Sequence, residues 1–367
     1  MKILIATNHS YMFYRFRRAL CEALLRDHEV VLSTPFVGHE DDLQAMGLKC
    51  VETPVDRRGI DPRKDLCLIR SYRALLRAEQ PDLVITYSIK PNIYLSACCA
   101  RAGIPFAANV QGMGTAFEKP VLSTVVSVMY RTALRRAGTV FFENEENAQF
   151  FLRRGLIRAE QACVLPGAGI DLREYPCLPL RTDGVCRFLF VGRLMKEKGV
   201  DEFFSAARQL KGELGARVAF DVVGFYEDAY RETVEQLSAD GVITFHGFQT
   251  DMHPFYEAAS CVVLPSYHEG MSNVLLEGAA SGRALITSDI PGCREVVQPG
   301  ESGFLCPVRD AAALTDAMRA FAQCSPDEQT NMGLAGRVLV EQRFEKRLVV
   351  EQTCRALRLD VPSPAAV

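Results

Sequence analysis

Two glutamates eight residues apart, Glu269 and Glu277, flank a segment whose residue types are suited to binding a ligand. The loop that carries Glu269 follows an apolar run, Cys261–Leu264, which predicts a buried strand. Ser272 and Asn273 then predict the start of a helix. Backbone N–H groups at a helix start are unpaired and attract anions or hydroxyl groups. Because eight residues span about 2.2 helical turns, Glu277 can lie beneath the loop that carries Glu269.

The stretch Ser266–Gly278, which reads SYHEGMSNVLLEG, resembles the donor signature of the retaining family 4 glycosyltransferases. The resemblance implies that Glu269 contacts the transferred sugar and that Glu277 holds the ribose hydroxyls of the nucleotide. It also implies that the residues between them bind the donor, namely Gly270, Met271, Ser272, Asn273 and Val274. On spacing alone, two solvated acids that flank a helix are the alternative.

A cationic loop, Gly192–Gly199, follows the apolar run Phe188–Val191 and reads GRLMKEKG. It resembles the loop in which the same family holds the nucleotide diphosphate, which implies catalytic roles for Arg193 and Lys198, with Gly192 beside the donor. Loss of the sugar builds negative charge on the diphosphate, and fixed cations stabilise that charge without a metal. Arg193 can form paired hydrogen bonds to phosphate, whereas Lys198 acts as a point charge. An ordinary charged surface loop is the alternative.

Two further loops of the second half match places where the family holds the nucleotide base. Gly224 ends one predicted strand, and Gly247–Gln249, which includes Phe248, follows another. The stretch Pro291–Glu295 also matches the family and is interpreted as structural. The six His residues are scattered and no DxD triplet is present, so no metal or other cofactor is expected.

Polar residues after the strands of the first half are candidates for binding the acceptor. Lys90 and the stretch Gln111–Gly114 each follow a predicted strand, so Lys90, Gln111 and Gly112 are expected at the ligand-binding edge of a sheet. Many family members carry His near the position of Gln111, and Gln cannot act as a base. Arg15 and Arg17, in a predicted loop, are placed to meet an anionic acceptor, with coverage of a helix surface as the equal alternative.

The stretches YSIKPNIY and NVQGMGTAF resemble bacterial family members that extend sugars on polyprenyl diphosphate in capsule or O-antigen assembly. An acceptor of that kind agrees with the charge distribution, because residues 1–183 hold 24 Lys and Arg against 20 Asp and Glu, and residues 184–367 hold 18 against 25. The helix predicted over Val121–Leu134 is accompanied by the cations Lys119, Arg131, Arg135 and Arg136. It offers four apolar residues for burial, namely Val125, Val128, Met129 and Leu134. Core packing is favoured for them, and peripheral membrane contact stays open.

The order of the elements predicts an α/β protein. Apolar strands alternate with helices through both halves, which is typical of doubly wound parallel sheets, and 367 residues suffice for two domains. We expect Rossmann-like domains over residues 1–180 for the acceptor and 185–344 for the nucleotide sugar, with Tyr175–Gly184 as linker. A helix over 345–360 is expected to cross back to the first domain. The resemblance implies that the two sheets face a central cleft, the architecture called GT-B.

Composition excludes several classes of protein. No apolar run approaches the 18 to 20 residues of a membrane span, and the chain starts directly with a strand instead of a signal peptide. Thirteen Cys without a CxxC pair indicate free thiols in a reducing compartment. These observations predict a cytoplasmic protein, with association at the inner face of the membrane left open and no nucleic-acid partner. The family resemblance implies that it is a retaining hexosyltransferase that uses a nucleotide sugar, expected to be a UDP-sugar. The alternatives are a UDP-sugar 2-epimerase-like enzyme and a non-catalytic nucleotide-sugar-binding subunit.

Overall fold

The computed structural model describes residues 1–56, 61–112, 117 and 120–360. Three residues named above, Met113, Gly114 and Lys119, lie outside the described residues, as does the tail 361–367. The chain forms two compact units. The first contains Met1–Ala168 and the segment that begins at Lys346, and the second contains Gly169–Glu345.

The first unit is built on a parallel sheet that has seven strands within its described residues, in the order β3-β2-β1-β4-β5-β6-β7. Most strands are continuous apolar runs, as expected where helices cover both faces of a sheet. The strands are β1 Lys2–Ala6, β2 Glu29–Thr34, β3 Lys49–Glu52, β4 Leu83–Tyr87, β5 Phe106–Val110, β6 Thr139–Phe142 and β7 Ala162–Val164. The helices are α1 Ser10–Leu24, α2 Glu40–Ala45, α3 Pro62–Glu79, α4 Ser96–Ala102, α5 Pro120–Leu134 and α6 Glu145–Arg153, and a π-helical turn, Pro91–Leu95, leads into α4.

The second unit, whose residues 169–345 are all described, repeats this construction with a six-stranded parallel sheet in the order β10-β9-β8-β11-β12-β13. Its strands are β8 Cys186–Val191, β9 Val218–Val223, β10 Thr244–Phe245, β11 Cys261–Leu264, β12 Ala284–Ser288 and β13 Gly303–Cys306. Its helices are α7 Val200–Leu214, α8 Arg231–Ala239, α9 His253–Ala258, α10 Asn273–Ala280, α11 Ala311–Gln323 and α12 Pro326–Arg343. The prediction of two doubly wound α/β sheets is confirmed.

Each sheet has one point at which the chain reverses its direction of winding. In the second unit the chain runs outward from β8 to β10 and then returns to β11 on the other side of β8. In the first unit the corresponding pair is β1 and β4. The loops that leave such a pair of strands diverge and open a crevice at the carboxyl edge, which is where ligands bind in sheets of this kind.

The first helix begins earlier than the sequence predicted. α1 starts at Ser10, inside the segment predicted as a loop, because the His9 ring accepts a backbone N–H of the first turn at 3.4 Å and caps the helix. Arg15 and Arg17 consequently lie on a helix and not in the predicted loop.

The predicted linker Tyr175–Gly184 packs on the second unit. Tyr175 is buried in the core of that unit, and the buried Arg283 side chain donates a hydrogen bond to the carbonyl oxygen of Leu178. Because the segment has these partners, the first unit ends at Ala168 and not near residue 180.

The last helix, α13 Lys346–Ala356, belongs to the first unit. Val350 and Cys354 are buried in the core formed by β1, β2 and α1. Thr139 in β6 donates a hydrogen bond to the carbonyl oxygen of Ala356 at 3.1 Å. The first unit is therefore completed by residues from the far end of the sequence.

Candidate functional site

Two loops meet at the winding reversal of the second unit, one after β8 and one after β11. The Tyr267 backbone N–H donates a hydrogen bond to the Glu197 carbonyl oxygen at 2.8 Å. Gly199 adopts φ 69°, and a Cβ there would lie 2.1 Å from the Pro265 carbonyl oxygen. Only glycine permits both this conformation and this approach, so the two loops are held in direct contact.

Lys198 and Glu269 form an ion pair between these loops. The Lys198 Nζ atom lies 2.5 Å from the Glu269 Oε1 atom, and their side chains are only 20% and 13% exposed. The Ser266 hydroxyl donates a second hydrogen bond to the same carboxylate oxygen at 2.8 Å. The predicted catalytic lysine and glutamate, which are 71 residues apart in sequence, are therefore brought together.

Arg193 lies on the β8 loop in a more open position. Its side chain is 41% exposed, and its Nη1 atom lies 3.6 Å from the Glu227 Oε2 atom. The loop is fixed to its neighbour because the Leu194 N–H donates to the Phe225 carbonyl oxygen at 2.8 Å. A Cβ on Gly224 would lie 1.8 Å from the carbonyl oxygen of Gly192, so both predicted glycines lie where the β8 and β9 loops touch.

An exposed aromatic pair stands at the carboxyl ends of β9 and β10. Phe248 was predicted to bind the donor, and its ring packs edge-on against Phe225 with centroids 6.0 Å apart. The two side chains are 57% and 44% exposed, which is unusual for phenylalanine. Phe225 was missed from the sequence, although its position directly after Gly224 could have suggested it.

The segment from Gly270 to Val274 makes the turn from β11 into α10. Met271 is buried, and the Ser272 hydroxyl caps the helix by accepting the Leu275 N–H at 3.4 Å. Asn273 and Val274 are half-buried in the first turn. This turn therefore directs the backbone N–H groups of the helix start toward the carboxyl edge of the sheet.

A third loop supports this turn from behind. The Ser272 N–H donates to the Gly292 carbonyl oxygen at 2.9 Å, and a Cβ on Gly292 would lie 2.2 Å from the Gly270 carbonyl oxygen. The Glu295 carboxylate accepts the Gly292 N–H at 2.8 Å. Pro291–Glu295 therefore has a structural role, as interpreted from the sequence, because it supports the turn that leads into α10.

Glu277 is buried on α10, one turn after Asn273 and on the same face of the helix. Tyr256, on α9, donates its hydroxyl proton to the Glu277 Oε2 atom at 2.7 Å. This hydrogen bond holds the Glu277 carboxylate in one position, whereas the carboxylate of a solvated surface acid would be mobile. Tyr256 had no sequence signal that connects it to the site.

A buried tyrosine–glutamate pair lies behind the Lys198–Glu269 pair. Tyr267 donates its hydroxyl proton to Glu202 Oε1 at 2.7 Å, and the Arg309 guanidinium lies 4.8 Å from the Tyr267 ring centroid. Burial, followed by the hydrogen bond to the Glu202 carboxylate, raises the pKa of Tyr267 well above its usual value. The hydroxyl therefore stays protonated and anchors the Glu269 loop to α7.

The structure places Arg17 inside the first unit, which corrects the expectation that it faces a ligand. Its Nη2 atom lies 2.8 Å from the Glu143 Oε1 atom, and its guanidinium lies 5.2 Å from the Tyr87 ring centroid. Arg15 is half-buried on α1. Glu143, a carboxylate at the carboxyl end of β6, was not identified from the sequence.

Lys90 is also paired. Its Nζ atom lies 2.7 Å from Asp65 Oδ1, and the Tyr94 hydroxyl donates to the other oxygen of Asp65 at 2.8 Å. Gln111 and Gly112 follow β5 directly, and Gln111 lines a small depression together with Arg17. The candidates of the first unit are thus at the carboxyl edge of its sheet, but two of the cations already have acidic partners.

The exposed face of α5 differs from the prediction. Val125 and Val128 are exposed instead of packing in the core, whereas Val126, Tyr130 and Leu134 are buried. The burial expected for Leu134 is confirmed and Met129 is half-buried, so the prediction is wrong for Val125 and Val128 alone. The exposed valines share their face with Arg131.

The described residues contain neither a metal-binding cluster nor a membrane-spanning helix. Within these residues, no group of three or more His, Cys, Asp or Glu side chains could hold a metal ion. No helix formed by them is long and apolar enough to cross a membrane. All thirteen Cys are described, and each is a free thiol.

Two doubly wound sheets of this kind are typical of the GT-B fold of glycosyltransferases, and solved structures match the chain over almost its whole length. The chain matches the Anabaena protein HepE in complex with UDP and glucose with a TM-score of 0.79 and 17% identity, over 98% of this chain and 99% of that chain. It matches TarM with a TM-score of 0.76 and 10% identity, over 97% and 98% of the two chains. The GT-B prediction is confirmed.

The chain belongs to the group 1 and 4-like glycosyltransferases, because residues 186–323 match the family "Glycosyl transferases group 1" and residues 15–168 match "Glycosyl transferase 4-like domain". One relative is the N,N'-diacetylbacillosaminyl-diphospho-undecaprenol alpha-1,3-N-acetylgalactosaminyltransferase of Campylobacter jejuni, 25% identical over 91% of this chain and 92% of that protein. Another is the UDP-Gal:alpha-D-GlcNAc-diphosphoundecaprenol alpha-1,3-galactosyltransferase of Escherichia coli, 25% identical over 78% and 77%. The chain is a glycosyltransferase, and these relatives do not favour the epimerase or binding-subunit alternatives.

Proposed function

We propose that this glycosyltransferase moves a hexose from a UDP-sugar to a lipid-diphosphate-linked sugar in the assembly of a bacterial surface glycan, with retention of configuration and without a metal. The observation that carries the proposal is the Lys198–Glu269 pair at the winding reversal of the second unit. A cation for the leaving diphosphate and a carboxylate for the sugar hydroxyls would then meet the donor together.

The donor side of the proposal rests on how the remaining residues are distributed around that pair. Arg193 is exposed enough to reach a phosphate, and the start of α10 offers backbone N–H groups. In the proposal, the exposed Phe225 and Phe248 rings stack against the flat base of the nucleotide. Glu277, which Tyr256 holds in place, accepts hydrogen bonds from the ribose hydroxyls. UDP as the nucleotide is supported by solved structures of HepE with UDP and with UDP-glucose.

Retention is supported by two residues of the first unit, Gln111 and Glu143. Inversion needs a base to activate the acceptor for attack from the back face, and Gln111 cannot supply one. Glu143 forms an ion pair with Arg17 at 2.8 Å, so it would have to break that pair before it could act as the base. We infer that the bond from the sugar to UDP breaks while the acceptor oxygen bonds on the same face. The acceptor proton passes to the departing phosphate oxygen.

The acceptor class is supported by the names of relatives. Two of them act on sugars linked to undecaprenol through a diphosphate, and another is named a capsular polysaccharide biosynthesis glycosyltransferase. Peripheral contact with the membrane would agree with the exposed valines Val125 and Val128 beside Arg131 on α5. Sedimentation with anionic vesicles tests that contact, and binding that survives Val125→Ser with Val128→Ser would contradict it.

Product formation tests the function directly. The purified protein is incubated with a panel of UDP-sugars and other nucleotide sugars and with farnesyl diphosphate that carries one sugar, and Glu269→Gln serves as the control variant of reduced activity. An α-UDP-sugar should give an α-glycoside, which the anomeric coupling in the NMR spectrum of a gluco- or galacto-configured product reports. A β-linked product would refute the retaining mechanism, and transfer from other nucleotide sugars alone would refute UDP as the donor nucleotide.

A further inference from the structure

A pocket of about 610 Å³ lies at the carboxyl edge of the first unit, away from the depression that contains Gln111. Its walls are the segments that follow β2 and β3 and the first turns of α3, and Lys90 after β4 closes one side. This volume falls in the range of small-molecule sites, and the carboxyl edge of a parallel sheet is where such sites form.

The charged side chains that line the pocket balance each other. Among the described residues of the lining, three are cationic and three are acidic: Arg63, Lys64, Lys90, Glu52, Asp56 and Asp65. Two of the cations form pairs within the pocket, since Lys64 Nζ lies 3.1 Å from Asp56 Oδ2 and Lys90 Nζ lies 2.7 Å from Asp65 Oδ1. A diphosphate would meet as many negative as positive side chains among these described residues, so they do not favour an anion over an uncharged ligand.

The remaining described lining is mostly apolar, with Ser71 as a polar exception, and includes the accessible aromatic ring of Phe36. Phe36, directly after β2, is 37% exposed, and Pro54, Val55 and Leu68 lie around the same pocket. A sugar ring has apolar C–H faces and a hydroxyl edge. It matches a pocket whose lining contains both an aromatic ring and carboxylates that accept hydrogen bonds from hydroxyl groups.

We propose that this pocket holds an uncharged sugar unit of the acceptor, with Phe36 against the ring and with Glu52 and Asp65 accepting hydrogen bonds from its hydroxyls. This inference rests on the proposed function, which supplies the acceptor. Lys90 then acts as a positioning residue, because its ion pair, together with the Tyr94 hydroxyl, holds Asp65 in place. The pocket recognises the sugar and not the diphosphate that carries it.

The test compares two kinds of probe by calorimetry. One is farnesyl diphosphate, and the other is farnesyl diphosphate that carries N-acetylglucosamine, N-acetylgalactosamine, glucose or galactose. At least one sugar-bearing probe should bind the wild type more tightly than farnesyl diphosphate. Phe36→Ala should weaken that probe about tenfold and leave farnesyl diphosphate unchanged, as expected for the loss of one ring contact.

Two variants separate recognition from general damage. Phe36→Tyr keeps the ring and should restore selective binding, and Leu66→Ala on α3 removes an exposed apolar residue that does not line the pocket. Glu52→Gln, at an exposed position, should raise the acceptor KM. Equal losses for both kinds of probe in Phe36→Ala, or no loss for either, would overturn the proposal, as would a wild type that does not prefer any sugar-bearing probe.

Failure of this inference can be told from failure of the proposed function. UDP affinity is measured in the same samples, and it depends on the second unit alone in the proposal. If UDP binds and the probes show no sugar selectivity, only the pocket assignment is wrong. If sugar selectivity is found and neither UDP binding nor transfer occurs, the proposed function is wrong and the pocket stands.

Discussion

Replacing Lys198 by methionine should lower kcat strongly and the free energy of unfolding only slightly. Methionine keeps most of the length and the apolar stem of lysine but removes the charge 2.5 Å from the Glu269 carboxylate. A charge-assisted hydrogen bond between groups this little exposed contributes about 1.5–3 kcal/mol. The Ser266 hydroxyl still donates to Glu269 after the change, so we expect a loss of unfolding free energy at the lower end of that range.

The effect on turnover should be larger than the effect on stability. Loss of one partner of the charge that develops in the transition state typically lowers kcat by about 10²–10³. Arg193→Met is the matched comparison, because Arg193 is 41% exposed and lies 3.6 Å from Glu227. Such an open pair contributes about 0–1 kcal/mol to stability, yet the same loss of kcat is expected if both cations stabilise the leaving diphosphate.

The assay combines urea unfolding with kcat in a double-mutant cycle. If Lys198 acts only by holding Glu269, then Lys198→Met should cause no further loss of kcat when it is added to Glu269→Gln. If both groups contact the donor, the double variant should lose more than either single variant. Arg208→Met, at an exposed position on α7, controls for lost surface charge. A folded Lys198→Met enzyme within tenfold of wild-type kcat would refute the assigned role.

Three further predictions address other parts of the molecule. Glu277→Ala should weaken UDP binding by about 1.5–3 kcal/mol through loss of a charge-assisted hydrogen bond to ribose, and calorimetry that shows unchanged affinity in a folded variant would remove Glu277 from the site. Arg17→Ala should lower the unfolding free energy by about 3–5 kcal/mol, because it breaks the 2.8 Å ion pair between the buried Arg17 guanidinium and the Glu143 carboxylate, whereas Arg15→Gln should cost much less. Equal destabilisation by the two arginine variants would contradict the assigned ion pair. Activity should persist in EDTA, and a requirement for added Mg²⁺ in the chemical step would disprove metal independence.

The features that could be predicted from the sequence depend on local patterns. A buried strand, a loop and a helix start fix where a side chain lies relative to the carboxyl edge of a sheet. Arg193, Lys198 and Glu269 could therefore be located from the residues around them. The order of the strands then brings the two loops together, and parallel winding rules limit that order to few choices.

The features that could not be predicted depend on distant partners. Tyr267 and Glu202 are 65 residues apart, and Tyr256 and Glu277 are 21 apart, so no periodicity connects them. The burial of Arg17 likewise depends on a carboxylate 126 residues away. A charged residue on an amphipathic helix gives the same pattern whether it faces solvent or a buried partner.

The return of α13 to the first unit has a consequence for how the protein is made. During synthesis, the strands of the first unit leave the ribosome long before Val349, Val350 and Cys354, which cover part of their apolar surface. The second unit has all of its core residues between Gly169 and Glu345 and can complete itself first. Domains that emerge first usually fold first. Here the second unit can finish folding before the first unit does. A released chain that ends before Lys346 should therefore hold a finished second unit and a first unit that still binds chaperones.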